Sequence, residues 1–329
     1  MRTPTLVDGR DLVDVVRPVH PVASAYLGPP PDLPWRTRLG ALVDRLREDG
    51  ADEPTVDDVV AALPDEPGTP LAVFADGGHV PAVFATPGST GPDLVRVGGP
   101  AHVLPLLAWA QDRPSCVLVV EGRAAVRVAV FPGHLEQAVA AEPVRCAPGA
   151  TVDVCRAALG RSRSRLVAVR GGVRLVERIR TAFAPDVTVR PVRTPSAERL
   201  AEVARTTAAL WSAQSVADLA DQARLPGHAA QGVDATLDAL ARGTARELLV
   251  TTGPGSGATA WFGRRAEQVR PDDPVPPPWP ARRGAAVDVA VRAALLGGVA
   301  VRVLRPGLPG APAGGLGALC RFPLSVVRP

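Results

Sequence analysis

The chain has 329 residues, which predicts two or three domains at about 150 residues per domain. An apolar fraction of 46% with 21% charged residues excludes a mainly disordered chain, and no apolar run reaches the roughly 18 residues that a membrane span needs. The net charge of +4 permits anionic partners without requiring them. Residues 1–13 carry Asp8, Arg10 and Asp11 where a signal peptide would need a continuous apolar segment, so we expect a soluble cytoplasmic protein.

The first predicted unit covers residues 1–112. Alternating apolar residues predict strands and apolar residues at helical spacing predict helices. Asp76-Gly77-Gly78 is typical of a hairpin turn, and Thr55 is the predicted N-cap of the second helix. The predicted elements, in chain order, are a strand at 20–27, a helix at 35–46, a helix at 55–63 and a hairpin formed by 71–75 and 80–85. This unit is therefore expected to be an N-terminal α/β domain.

The second predicted unit covers residues 113–193. Glu121-Gly122-Arg123 joins two strongly apolar strands into a β-hairpin. A later strand, helix and strand follow one another in the order of a parallel crossover. The predicted elements are strands at 116–120, 125–131 and 135–144, a strand at 165–170, a helix at 173–183 and a strand at 187–192. We expect a small middle domain with a β-hairpin and a crossover helix.

The third predicted unit covers residues 194–329. Thr194-Pro195 is a favourable helix start, with proline at the first helical position. Helices and strands then alternate, which predicts a C-terminal three-layer α/β/α domain. The predicted elements are helices at 195–211, 231–241 and 286–296, strands at 247–251, 259–262, 299–304 and 316–322, and a proline-rich surface loop at 271–280. The whole chain is therefore predicted to be an α/β multidomain protein.

The cysteines and histidines give no metal-binding pattern. The four cysteines contain no Cys-x-x-Cys pair, and the five histidines lack ligand spacing, so no metal site is predicted. A Cys/His catalytic pair needs only spatial proximity and stays open. His134 and Glu136 are the only acid/base pair that is close in sequence.

The glycine-rich segments do not predict a cofactor site. Residues 253–258 nominally fit a dinucleotide-binding loop, but a strand rather than a helix follows them, so a hairpin loop is expected. Gly171-Gly172 and Gly314-Gly315 are expected to be turns. A Gly-x-Ser-x-Gly elbow is absent from the sequence, which gives no support to a serine hydrolase.

The densest charge feature is a group of arginines between residues 156 and 170. All the strongly basic residues of this chain are arginines, which bind phosphate through two hydrogen bonds at once. Ser162 and Ser164 alternate with them and offer hydroxyl groups to phosphate as well. A solvated helix end and loop is the alternative interpretation. The residues predicted to bind RNA are Arg156, Arg161, Arg163 and Arg165.

Short motifs in all three units resemble the archaeal and eukaryotic peptide-chain release factor superfamily, which includes Pelota. Residues 114–131 look like the opening hairpin of its middle domain, and residues 315–322 look like the closing strand of its C-terminal domain. The N-terminal motifs look like the bacterial branch of this superfamily, common in actinobacteria. The matching segments are residues 24–27, 35–36, 101–107, 114–131, 232–233, 239–250, 287–296 and 315–322.

This resemblance implies a ribosome-binding protein of three domains, but not a catalytic one. Release factors of this superfamily carry a Gly-Gly-Gln loop that positions water for peptidyl-tRNA hydrolysis, and this sequence has no Gly-Gly-Gln. Only about twenty residues, 145–165, separate two predicted strands where the family has a long loop and a full helix. No catalytic residue is therefore carried over. Pelota and the bacterial hibernation factor Balon occupy the ribosomal A site without glutamine chemistry.

The sequence therefore predicts a non-catalytic, ribosome-associated, monomeric factor that acts in ribosome hibernation or rescue. Its expected partners are ribosomal RNA and, by analogy with Balon-like proteins, EF-Tu, with no DNA, membrane or cofactor. Two alternatives stay open. One is a peptidyl-tRNA ester hydrolase that uses another group, and the other is a protein- or RNA-binding module outside translation.

Overall fold

The computed structural model describes residues 9–29, 34–65, 68–79, 81–89, 91–133, 143–251, 257–273 and 275–323. The chain forms two compact units: unit 1 combines Met1–Trp109 with Ser212–Pro329, and unit 2 is Ala110–Trp211. Both are built from strands and helices, so the predicted α/β multidomain class is confirmed. The division at residues 112 and 193 stays a prediction. Among the described residues, no helix is long and apolar enough to cross a membrane.

The N-terminal part of unit 1 is an antiparallel sheet with helices packed on it. Strand order is β3-β2-β1-β4. On one face, Leu42 and Leu46 of α2 and Val56 and Val59 of α3 pack against buried strand residues such as Ala25. The elements are α1 (Gly9–Val16), β1 (Val22–Leu27), α2 (Trp35–Glu48), α3 (Glu53–Ala62), β2 (Leu71–Ala75), β3 (Ala82–Ala85), β4 (Leu94–Gly98) and α4 (Leu104–Gln111).

One helix start in this segment differs from the prediction. Helix α3 begins at Glu53, and its N-cap is Asp52, whose carboxylate accepts a hydrogen bond from the Thr55 amide at 3.0 Å. Thr55 is therefore the third helical residue rather than the cap. Either residue type caps helices well, and Pro54 in the first turn favours the earlier start.

Unit 2 is a three-layer arrangement around one mixed sheet, with strand order β7-β6-β5-β8-β9. The predicted hairpin β5–β6 and the parallel crossover from β8 through α6 to β9 are both confirmed. Helices α5 and α6 cover one face of the sheet, and the first half of α7 covers the other. The elements are β5 (Cys116–Glu121), β6 (Val126–Phe131), β7 (Val144–Cys146), α5 (Thr151–Ser162), β8 (Leu166–Arg170), α6 (Val173–Phe183), β9 (Thr188–Pro191) and α7 (Ala197–Gln222).

Helices α5 and α7 of unit 2 differ from the elements expected from the sequence. Helix α5 occupies most of the short interval 145–165, for which no helix bounds were predicted. Helix α7 starts at Ala197, two residues later than predicted, and the Ser196 hydroxyl accepts the amide hydrogen of Arg199. Most of the strand predicted at 135–144 lies outside the described residues.

The C-terminal part of unit 1 has a mixed sheet, β10-β16-β11-β15, and a smaller sheet, β13-β12-β14. Val216 and Leu219 of α7 pack against Leu249 on one face. Leu248 and Val250 point the other way and are fully buried, because α8 and α9 also pack on this sheet. The elements are β10 (Ala229–Gln231), α8 (Val233–Ala241), β11 (Ala245–Thr251), β12 (Thr259–Phe262), β13 (Val269–Pro271), β14 (Arg282–Ala285), α9 (Ala286–Leu296), β15 (Ala300–Leu304) and β16 (Leu316–Cys320).

The glycine-rich segment 253–258 joins two different sheets. Strand β11 pairs with β15 and β16, whereas β12 pairs with β13 and β14. The prediction of a hairpin loop at this position was therefore wrong, because a hairpin requires its two strands to pair with each other. Residues 252–256 themselves lie outside the described residues.

Candidate nucleic-acid interface

Positive charge is concentrated in unit 2. Residues 110–211 contain 16 arginines and nine acidic residues, a formal net charge of +7. The rest of the chain therefore carries a net charge of −3, since the total is +4. A charge of this sign and density on about 100 residues favours phosphate-rich partners for unit 2.

Three of the four predicted RNA-binding arginines lie at one place, the turn between α5 and β8. Arg161 is in the last turn of α5, Arg163 is its C-cap residue, and Arg165 directly precedes β8. All three side chains are exposed. We call these three residues the arginine turn. Neither Arg161 nor Arg165 forms an ion pair with any residue that the structure describes.

The backbone of the arginine turn is unusual at its central residue. Arg163 has φ +49° and ψ +25°, the left-handed conformation that glycine or asparagine usually adopts at a helix end. An arginine at this position costs conformational energy that a glycine would not. This cost is consistent with a role for the Arg163 side chain, because a glycine would suit the backbone conformation better.

The hydroxyl groups of the two serines between these arginines are hydrogen-bonded within the protein, and Ser162 is half-buried. Ser162 donates its hydroxyl hydrogen to the Ala158 carbonyl at 2.8 Å. Ser164 is buried, and its hydroxyl donates to the Ser115 carbonyl at 2.6 Å and accepts the Leu166 amide at 3.1 Å. The expectation that these hydroxyls contact phosphate was therefore wrong. They hold the turn in shape instead.

Arg156 is separate from the arginine turn. Arg161 follows it by five positions on α5, which places the two about 140° apart around the helix axis. Arg156 forms an ion pair with Asp153 at 2.9 Å and lies over the ring of Phe183, 5.6 Å from its centroid. These contacts occupy its guanidinium, so Arg156 has less capacity than Arg161 and Arg165 to bind a phosphate.

The helix start that follows β8 presents an anion. The Glu121 carboxylate accepts the Gly172 amide at 2.6 Å, directly before α6. A Cβ atom at Gly171 would lie 2.8 Å from the same carboxylate, so a larger residue there would displace the Glu121 side chain. Because a helix N-terminus is where a phosphate would bind, Glu121 makes this end of the sheet unfavourable for a nucleotide.

A buried polar network in unit 1 was missed by the sequence analysis. Asp288 on α9 accepts from His102 Nδ1 at 2.7 Å and from Arg96 at 3.3 Å. The His102 amide donates to the Ser24 hydroxyl, and the Tyr26 hydroxyl donates to the His102 carbonyl at 2.6 Å. Burial raises the pKa of Tyr26 well above its ordinary value, so the phenol stays protonated. These groups satisfy one another's hydrogen-bonding capacity, which favours a structural role for the network. A lone aspartate in the apolar stripe of α9 was the only sequence signal.

Two of the candidate catalytic groups lie outside the described residues: His134 and Glu136. The cysteines are described. Cys116 and Cys155 are buried, and burial raises the pKa of each thiol to about 12. Burial also raises the pKa of Cys320, while Cys146 is half-buried. Buried thiols of this kind are poor nucleophiles.

We therefore predict that a thiol reagent at pH 8 modifies Cys146 rapidly in the native protein. A thiol of pKa about 12 has roughly a thousandfold less thiolate at this pH than an unperturbed cysteine, so Cys116 and Cys155 should react far more slowly. All four should react at similar rates in denaturant. Mass spectrometry after a short reaction identifies the modified residues, and rapid labelling of Cys116 or Cys155 would contradict this prediction.

Fold and charge together define an α/β protein in which the sequence of a basic unit is inserted between the two segments of a weakly acidic one. No protein-family model matches the chain, and no curated protein sequence matches it. Among solved structures, it is similar to archaeal Pelota in a model of ribosome-bound Pelota and ABCE1, with 13% identity, 98% of this chain and 96% of that chain covered, and a TM-score of 0.42.

Two further structures are similar over much of their length. S. cerevisiae Dom34, a translation termination-like factor involved in RNA quality control, shares 10% identity over 83% of this chain and 78% of its own, with a TM-score of 0.41. The archaeal translation termination factor aRF1 shares 14% identity over 96% of this chain and 99% of its own, with a TM-score of 0.25. Because these TM-scores are below 0.5, we draw no functional conclusion from them.

Proposed function

We propose that this protein is a non-catalytic, ribosome-associated factor that binds ribosomal RNA through the arginine turn of unit 2. The observation that carries the proposal is the exposure of Arg161, Arg163 and Arg165 on one turn of a unit with a net charge of +7. Ribosomal RNA is a dense phosphate surface, and several arginines at one place release several counterions on binding.

The finer part of the proposal comes from the sequence motifs shared with the release-factor superfamily. They favour binding at the ribosomal A site during hibernation or rescue, with EF-Tu as a candidate partner and a cytoplasmic monomer as the acting form. The same motifs favour a division of the chain into three domains, 1–112, 113–193 and 194–329. The absence of Gly-Gly-Gln from the sequence favours a role that does not involve peptide release.

Co-sedimentation of the purified protein with vacant ribosomes, over a series of salt concentrations and with or without EF-Tu, tests this function. We expect saturable pelleting that persists at moderate salt. No labelled peptide should be released from ribosome-bound peptidyl-tRNA. A protein that stays in the supernatant even at low salt would exclude the ribosome and favour a binding module outside translation.

Replacement of Arg161, Arg163 and Arg165 by serine is expected to weaken ribosome binding about tenfold or more. If each arginine contacts one phosphate, the slope of log affinity against log salt should fall by about 3. Because the three side chains are exposed, the melting temperature should change little.

The matched control removes the same charge from unit 1. Arg36, Arg224 and Arg282 are also exposed, and their replacement by serine lowers the net charge by the same amount. This control should keep most of the affinity and of the salt slope. Equal losses in both triple variants would mean that net charge alone drives binding, and the arginine turn would then have no special role.

A further inference from the structure

Three potential metal ligands meet at one end of the two central strands of the N-terminal sheet, although His20 is far in sequence from the other two. His20 lies just before β1, and Asp76 lies just after β2. Because β1 and β2 are antiparallel, with Ala23 opposite Ala75, the start of one strand lies beside the end of the other. His79 follows Asp76 by three residues on the same loop. The pairing therefore brings two imidazoles and one carboxylate together.

The donor atoms face one another at short range. Asp76 Oδ2 lies 2.9 Å from His79 Nδ1 and 3.5 Å from His20 Nε2. One ligand atom from each of the three residues lies within 4.8 Å of the other two. The two imidazole rings are stacked, with an interplanar angle of 3° and centroids 6.0 Å apart. This is a compact group of donors rather than a chance surface pair.

The carboxylate at the centre of this group is held in a fixed orientation. Asp76 Oδ1 accepts hydrogen bonds from the amides of Gly78 at 3.1 Å and His79 at 2.9 Å, which leaves Oδ2 directed at the two histidines. The Asp76 side chain is only 7% exposed. Gly77 has φ +70° and lies against the start of α3, where a Cβ would be 2.8 Å from the Thr55 hydroxyl. The loop is therefore shaped around the carboxylate.

The electrostatics of the group favour a cation. An aspartate carboxyl has an ordinary pKa of about 3.9, so Asp76 brings a negative charge to the group at neutral pH. A carboxylate oxygen beside two imidazole nitrogens is a donor set for zinc and similar transition metals, whereas Mg²⁺ and Ca²⁺ prefer oxygen ligands alone.

The distances between the donor atoms also suit a small metal ion with tetrahedral coordination. Ligands about 2.0–2.1 Å from a zinc ion at tetrahedral angles are about 3.3 Å from one another. The two measured separations, 2.9 Å and 3.5 Å, lie on either side of that value. The His79 side chain is 75% exposed, so it has room to rotate toward this geometry.

We propose that His20 Nε2, Asp76 Oδ2 and His79 Nδ1 bind one divalent transition-metal ion of the zinc class. Three protein ligands leave a fourth position for water or another ligand, as in zinc sites that bind a substrate. The three residues also line a cleft of about 430 Å³ together with the apolar side chains of Val22 and Phe74. The fourth ligand is therefore expected to come from a small molecule or peptide group in this cleft.

Zinc titration of the metal-free, untagged protein, followed by calorimetry and without ribosomes, tests the site. We expect one Zn²⁺ per chain. Co²⁺ should give the visible absorption of a tetrahedral nitrogen and oxygen site without a thiolate charge-transfer band. Loss of an orienting partner of a metal ligand typically weakens affinity 10- to 100-fold, so His79→Ala, which removes a ligand, should weaken Zn²⁺ binding by about 100-fold or more.

His79→Ala and His20→Ala carry the test, because Asp76→Asn also disturbs the loop. His228→Ala is the matched control, since His228 belongs to the C-terminal part of unit 1 and to no group of ligands among the described residues. Zinc affinity that is equal in the wild type and both ligand variants, or no zinc binding by the wild type, would overturn the proposal. The three groups would then form only a hydrogen-bonded His–Asp cluster. Neither result depends on whether the protein binds ribosomes.

Discussion

Replacement of Asp93 by asparagine is expected to lower the free energy of unfolding by about 3–5 kcal/mol, because it leaves a buried arginine without its counter-ion. Arg38 on α2 is only 6% exposed. It donates through Nε to Asp93 Oδ2 at 2.7 Å, through Nη2 to Asp93 Oδ1, and through Nη2 to the Gly28 carbonyl at 2.8 Å. The Gly28 amide also donates to Asp93 at 2.9 Å. One carboxylate thus connects α2 with the ends of β1 and β4.

The same pair predicts how stability changes in acid. Burial raises the pKa of Asp93, but the hydrogen bonds from Arg38 and Gly28 and the charges of Arg38 and Arg45 outweigh it, so the net pKa is lowered. A carboxyl whose folded pKa is lowered stabilises the fold above its unfolded pKa of about 3.9. This contribution is lost as the pH falls through the lower, folded pKa. The difference in stability between wild type and Asp93→Asn should therefore shrink below about pH 4.

Urea unfolding at pH 7 and across the acid range measures both effects. Glu53→Gln is the matched control, because it breaks the exposed ion pair between Arg47 and Glu53, whose side chains are 50% and 63% exposed. This control should leave stability nearly unchanged. An Asp93→Asn variant as stable as the wild type would show that the buried arginine needs no carboxylate partner.

Replacement of Gly284 by alanine is expected to lower the free energy of unfolding by about 2–3 kcal/mol, because the new methyl group has no space. A Cβ at this position on β14 would lie 2.0 Å from the Gly99 carbonyl oxygen and 2.8 Å from Pro100 Cδ. The first of these atoms belongs to the backbone, so it cannot move aside by a simple side-chain rotation. The contact joins the N-terminal and C-terminal parts of unit 1.

The matched control is the same substitution in an open place. Gly40 is an exposed residue inside α2, and no atom lies within 4 Å of a Cβ built there. Gly40→Ala should raise the free energy of unfolding by about 1 kcal/mol, the usual gain in helix propensity. Thermal or urea unfolding measures both variants, which should shift in opposite directions. Equal and small shifts would contradict the close approach at Gly284.

Elements that depend on local patterns were predictable from the sequence. The hairpin around Gly122 and the crossover β8–α6–β9 follow from apolar alternation, helical spacing and turn residues that are close together in the chain. Helix α5 was missed because its interval was interpreted through its arginines, and Gly160 weakens the helical pattern. The sequence pattern is ambiguous where the same residues carry both a charge cluster and the helical periodicity.

The candidate sites were harder to predict, because their residues meet only through long-range pairing. His20 and Asp76 are 56 residues apart and adjoin only because β1 pairs with β2. Asp288 and His102 are 186 residues apart and meet where the two parts of unit 1 come together. Spacing rules for metal ligands and catalytic pairs describe residues on one turn or loop. They therefore do not identify residues that come together only through long-range contacts.

The division of the chain into a split unit and a continuous one affects the order of folding during synthesis. Unit 2 is formed by consecutive residues, so its core is complete once residue 211 has left the ribosome. Unit 1 requires α9, β14 and β16, which are made afterwards. At about 5–20 residues per second, its N-terminal part therefore waits roughly 10–40 s for its missing half. During that interval, the surface that later receives α9 is exposed to chaperones and proteases.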